Sequence, residues 1–205
     1  LFPYTTLFRS LSNELPSCNY HYDLHTAIRD SKYEKFAIYP FQGDKPWDKE
    51  QLSFMRACGV NTILFGHAPS GTFSYFSSEN YHAHAFTVEL GKVKPFGQNN
   101  TSSFQAMADN LHSLITGQPL NLAPFNNNDF NLFNVLNDIT KQTNDFKLLI
   151  DNKVSNFTDF PIATTLATDS TGNYITAHQG ESIVFPDANV GNGQRAALMV
   201  IPCQL

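Results

Sequence analysis

Residues 60–65, VNTILF, form a near-continuous apolar run, the pattern of a strand covered on both faces. Immediately before them, Asp48 is placed to cap a helix that runs to Cys58, with Trp47, Leu52 and Met55 roughly on one side and Gly59 as its stop. Residues 36–39, ended by Pro40, read as a second strand. Residues 19–24, NYHYDL, alternate into another, whose one face carries His21, Asp23 and then His25. Downstream, residues 68–79 are rich in Gly, Ser and Pro with Phe73, Tyr75 and Phe76 interleaved, which predicts a long surface loop of the kind that often carries function. Residues 85–90 return as a strand. Thr101 or Ser102 then caps a helix with Phe104, Met107, Ala108, Leu111, Leu114 and Ile115 at i, i+3, i+4 spacing up to Gly117. Strands and helices in this order define an α/β layered domain.

After Pro119 the texture changes. The Asn-rich stretch 121–128 reads as a linker, and beyond it short apolar runs at 148–150, 162–167, 183–185 and 196–201 alternate with Gly, Pro and Asn, the signature of a small all-β domain. The expected division is therefore an α/β domain over 11–119 and a β domain over 120–205. Residues 1–10, LFPYTTLFRS, resemble a translated sequencing adapter and are set aside from fold reasoning, with the natural protein expected to start upstream.

With 205 residues, of which 41% are apolar and 13% aromatic, the chain has material for one substantial core or two small ones. Its net charge of −5 arises from scattered residues, and no Lys/Arg run offers the footprint that phosphate backbones or anionic membranes require. Nucleic acid and membrane are thus poor partners, and no apolar stretch approaches the length of a spanning helix. Cys18, Cys58 and Cys203 lie far apart without a CxxC pair, which suggests neither a thiolate metal site nor a disulfide framework and fits a cytoplasmic setting. Asn99, Asn100 and Asn156 sit in N-x-S/T sequons that an Asn-rich chain generates by chance.

Two segments carry chemistry. In DLHTAIR, residues 23–29, His25 lies at the C-terminal end of a strand, where α/β sheets place their ligands. Asp23 shares its face and is in reach to orient the imidazole, as carboxylates do behind metal-bound histidines, although a lone D-x-H is more often a hydrogen-bonded structural pair. In TVELGK, residues 87–92, Glu89 ends an otherwise apolar strand, where a carboxylate is costly without a partner or a task. It reads either as one half of a salt bridge with Lys92 or Arg29, or as a general base whose pKa burial raises. His82-x-His84 would put two side chains on one strand face just before Glu89, and His67, His112 and His178 are isolated.

DLHTAIR and VELGK, followed by Lys94 to Asn99 (KPFGQN), with Ser70-Gly71-Thr72-Phe73 and Phe76-Ser77 between them, together resemble the succinylglutamate desuccinylase family, within the aspartoacylase group of carboxypeptidase-like zinc enzymes. The resemblance is strong over residues 22–98 and continues to Pro202, where RAALMV (195–200) resembles the family's final strand. It implies a fold of α/β class, part of a zinc-carboxypeptidase-like mixed sheet with helices followed by a small β domain. It also implies one zinc ion with His25 as a ligand and Glu89 as the catalytic base, and Asp23, from its place on the strand, would stand behind the histidine. The implied substrate is N-succinyl-L-glutamate, and Arg29 and Lys92 are candidates to meet its anionic ends. The HxxE motif that supplies the family's other two zinc ligands is missing, as is the Asn-Arg motif that follows it. The fragment by itself is therefore expected to be inactive. An aspartoacylase-like amidohydrolase and a non-catalytic binding module are the alternatives.

Overall fold

The run at 60–65 becomes strand β3 (Thr62–Phe65), and all four of its residues are buried. Its alternation sends Ile63 and Phe65 into one core and Leu64 into another, so both faces are covered. The computed structural model describes residues 18–205, and the adapter-like stretch lies outside them. Around β3 stand β1 (Tyr20–Ala27), β2 (Phe36–Tyr39), β4 (His84–Lys92) and β5 (Asn131–Thr140), with helices α1 (Lys49–Ala57), α2 (Phe73–Tyr81) and α3 (Gln105–Thr116). Short strands β6 (Lys147–Leu148), β7 (Thr158–Asp159), β8 (Thr165–Asp169), β9 (Gly172–Ile175) and β10 (Ser182–Val184) follow, and β11 (Arg195–Pro202) closes the order.

One mixed sheet runs in the order β1-β4-β2-β3-β5-β11-β10-β7. β1 is parallel to β4, β4 is antiparallel to β2, and β3 lies between β2 and β5, parallel to both. β5, β11, β10 and β7 continue antiparallel, and β6-β8-β9 form a second sheet. The sheet therefore crosses the expected linker without a break. Leu120, Leu122 and Phe125 of that stretch pack on the first core, which makes it a packed connection.

α1 forms where the Asp48 carboxylate accepts the Glu50 and Gln51 N–H groups, satisfying donors that the first turn leaves open. It ends at Cys58, followed by Gly59 at φ 78°. Leu52, Met55 and Met107 join Phe86 and Val88 on one side of the sheet. On the other side Phe36, Leu64 and Phe133 meet Phe157 and Val184, so the C-terminal lobe, rather than a second layer of helices, covers that face. A third cluster, including Ile139, Leu166, Ile183 and Met199, fills the β-rich lobe.

Three local expectations fail. Residues 68–79 are not all loop, because α2 begins at Phe73 with the Thr72 hydroxyl accepting the Tyr75 N–H at 3.3 Å. The buried face of α2 is made of Ser74, Ser77 and Ser78, so no apolar stripe announces it. The start of α3 is capped differently too. Asn100 accepts the Ser102 N–H and opens a 3-10 turn (Thr101–Phe104) ahead of the helix. Gly117 ends α3 at φ 67°, yet Ile115, placed on the apolar face by spacing, is 82% exposed. No helix among the described residues is long and apolar enough to cross a membrane.

Candidate active site

β1 and β4 run in parallel, and their register sets His25 beside Glu89 and Asp23 beside Thr87. Residues paired in register point to the same face, so Asp23, His25, Thr87 and Glu89 share one face at the C-terminal ends of the two strands. His25 Nε2 lies 3.0 Å from Asp23 Oδ1, an arrangement that holds the ring and leaves Nδ1 as its other nitrogen. The register shifts between His25 and Ala27, which pairs with Lys92 and ends the strand two residues after the histidine.

Glu89 is buried, and across the antiparallel pair it stands beside Phe36, itself 0% exposed. Burial pushes its carboxyl pKa up; His25 opposes this and Asp23 adds to it. Oε2 of Glu89 has no hydrogen-bond partner. The salt bridge that would have explained this carboxylate does not form: Lys92 pairs with Asp30 at 2.7 Å, and Arg29 points its guanidinium at backbone carbonyls. Arg29 donates through Nη1 to Asn152 O (2.6 Å) and Val154 O (3.0 Å), and through Nη2 to Pro186 O (2.9 Å).

A cavity of about 530 Å³ opens at this point, and His25, Arg29 and Glu89 line it. Asn156, Phe185, Pro186 and Asp187 of the C-terminal lobe form its other wall. Apart from the sequon at Asn156, no local pattern in the sequence marks those four, which reach the site because the lobe folds back over the exit of β1. Lys92 is not among the lining residues. The histidine pair also separates: His82 is the C-cap of α2 at φ 59°, and only His84 belongs to β4, 3.6 Å from Asp48. His178 pairs with Glu181 at 2.8 Å.

Among the described residues no three His, Cys, Asp or Glu side chains come together as a metal site. A catalytic zinc takes three protein ligands. His25 with its carboxylate partner fits the role of one of them, and residues 18–205 alone do not complete the set.

A mixed sheet with a buried carboxylate, one of its oxygens unpartnered, beside an oriented imidazole and roofed by a β-rich lobe defines an α/β protein that gathers its polar groups at strand ends. The chain belongs to the succinylglutamate desuccinylase/aspartoacylase family: the model for that family's catalytic domain matches residues 4–115, and the AstE/AspA barrel-sandwich hybrid domain matches residues 128–203. It is 53% identical over 186 residues to the succinylglutamate desuccinylase of Pseudoalteromonas atlantica, covering 91% of this chain and 53% of that protein. To the enzyme of the same name from Shewanella pealeana it is 53% identical over 178 residues, with 87% and 52% covered. Two crystal structures of proteins so named share the fold. That from Vibrio cholerae has a TM-score of 0.87 at 30% identity, over 100% of this chain and 61% of that one. That from Chromobacterium violaceum has a TM-score of 0.85 at 36% identity, over 100% and 63%. The chain spans about half the length of the curated relatives it matches.

Proposed function

We propose that this chain carries part of the active site of a zinc-dependent amidohydrolase that cleaves N-succinyl-L-glutamate to succinate and L-glutamate, a cytoplasmic step of arginine breakdown. The observation that carries the reading is Glu89, a buried carboxylate with an unpartnered oxygen, in register with His25 and open to a cavity that Arg29 also lines. A carboxylate whose pKa is raised by burial is suited to take a proton near neutral pH. In this reading Glu89 accepts a proton from the attacking water as the new C–O bond forms, then delivers it to the leaving amine nitrogen as the C–N bond breaks. His25, with ligands outside the described residues, would hold the zinc ion, which when bound would polarise the carbonyl and acidify a water. Asp23 fixes the imidazole. Arg29 contributes positive charge for a substrate anionic at both ends, and Lys92, already paired with Asp30, contributes at longer range.

The test uses the full reading frame that contains this chain, purified with zinc and offered N-succinyl-L-glutamate and N-acetyl-L-aspartate. The expected result is succinate release with kcat/KM at least about a hundredfold above that for the acetyl substrate, and simultaneous loss of zinc and activity in His25→Ala. A preference for N-acetyl-L-aspartate would move the protein to the aspartoacylase side of the family. A folded, zinc-loaded protein that hydrolyses neither would refute the enzymatic reading and leave a binding module.

A further inference from the structure

The cavity wall contributed by the C-terminal lobe has chemistry of its own. Asn156 is 0% exposed, and the backbone pins it to the loop that leaves β1: its N–H donates to Asp30 O at 2.8 Å, and its carbonyl accepts the Lys32 N–H at 2.9 Å. Its side-chain Oδ1 accepts the Phe185 N–H at 2.8 Å. That contact fixes which end of the amide is which, and Nδ2 is left as a buried donor with no hydrogen-bond partner. Native interiors satisfy nearly all such groups, so an orphan calls for an explanation. Among the described residues three side-chain atoms are in this state: Ser31 Oγ, Glu89 Oε2 and Asn156 Nδ2. Glu89 and Asn156 line the same cavity, and Ser31 is bridged to Asn156. The backbone there is also held in a costly conformation. Phe157 at φ 64° and Phe185 at φ 54° occupy the left-handed region that bulky residues avoid, and such strain concentrates where a site must be pre-set.

We infer that Asn156 is a substrate-binding residue, whose Nδ2–H donates to a carboxylate oxygen of the bound N-acyl amino acid at the end lying against the C-terminal lobe. This rests on reading the cavity as the substrate site. Arg29 and Asn156 divide the task. The guanidinium, held by the carbonyls of Asn152, Val154 and Pro186, sets a positive potential and locks the lobe in place, while the amide supplies the directional donor. Asp187, the lobe's carboxylate on the cavity, accepts the Asn189 N–H.

The decisive variant is Asn156→Asp in the zinc-loaded full-length protein. Aspartate keeps an acceptor for the Phe185 N–H and replaces the donor with an anionic oxygen; Asn156→Ala, which removes the donor without adding charge, serves if the aspartate variant does not fold. The measurements are KM and kcat for N-succinyl-L-glutamate, Tm, and calorimetric binding of succinate and of L-glutamate separately. The expected result is a KM raised at least about tenfold, affinity for one of the two products weakened to a similar degree and the other product within about twofold of wild type, with Tm read to confirm that the variant is folded at the assay temperature. A variant with KM and both product affinities within about twofold of wild type overturns the inference and makes Asn156 a structural residue only. Should the wild-type protein bind neither product and hydrolyse nothing, the reading of the cavity as the substrate site falls, and this inference with it.

Discussion

Among the described residues two glutamates are buried, and the fold treats them in opposite ways. Glu181 is surrounded by donors. Its Oε1 accepts the N–H groups of Ala177 and His178, each at 2.7 Å, and lies 2.8 Å from the His178 ring, while Oε2 accepts the Tyr174 hydroxyl at 3.3 Å. Burial pushes this carboxyl pKa up, but the backbone and His178 hydrogen bonds outweigh it and hold the group below its ordinary value. A folded-state pKa below the unfolded one gives stability that is fully present above the unfolded value, roughly pH 4.3, and is lost as pH falls through the folded value. Glu181→Gln should therefore cost about 1–3 kcal/mol at pH 7, where backbone donors lose a charged acceptor, and should flatten this part of the acid limb. Urea midpoints for both proteins at pH 7 and pH 3 check this; an equal gap at the two pH values would contradict it. The sequence singles out Glu89 because a lone carboxylate interrupts an apolar strand. It does not mark Glu181, whose partners are backbone groups of a turn and carry no side-chain signature. Asn156 is visible in the sequence only as a sequon, since its importance depends on a lobe whose docking no local pattern encodes.

At the scale of elements, α2 shows where periodicity stops being informative. Its inward face is polar: Ser74 Oγ meets Thr87 Oγ1 at 2.8 Å, and Ser77 Oγ lies 2.6 Å from His21 Nδ1 while donating to Ser74 O at 3.0 Å. Small hydroxyls let the helix sit close over β1 and β4 and satisfy one another there. Hydrophobic spacing reads such a segment as loop, although Thr72 as an N-cap was the available clue. Ser77 is 0% exposed, which leaves no room for a larger side chain. Ser77→Leu is expected to cost about 1–3 kcal/mol by overpacking, and Ser77→Ala about 1 kcal/mol for the lost hydrogen bonds. Equal melting temperatures for the leucine variant and wild type would show that α2 is not seated as described. β5 escaped a sequence assignment for a related reason: Asn131, Asn134, Asn137 and Asp138 interrupt it, and these residue types are depleted in strands. Its pairing with β3 on one side and β11 on the other overrides local preference.

For the molecule as a whole, the α/β class and the β-rich C-terminal lobe follow from the order of apolar runs and turn residues, whereas the way the two are joined does not. One sheet passes through both, and Phe157 and Val184 of the lobe cover the face of β2 and β3 that helices would cover in a doubly wound fold. That docking is what brings Asn156 and Phe185 to the cavity and leaves Glu89 buried. Holding a carboxylate there without a partner for Oε2 opposes stability, a cost that the proposed role as a base accounts for. The direct measurement is therefore on Glu89→Gln in the zinc-loaded full-length protein, reading zinc content, Tm and succinate release on the same preparation. The amide is nearly isosteric and removes a buried charge, so zinc content should be unchanged and Tm equal or higher, while kcat falls by about 10²- to 10⁴-fold. A metal-loaded Glu89→Gln protein with near-normal kcat and a lowered Tm would contradict the account and make Glu89 a structural residue.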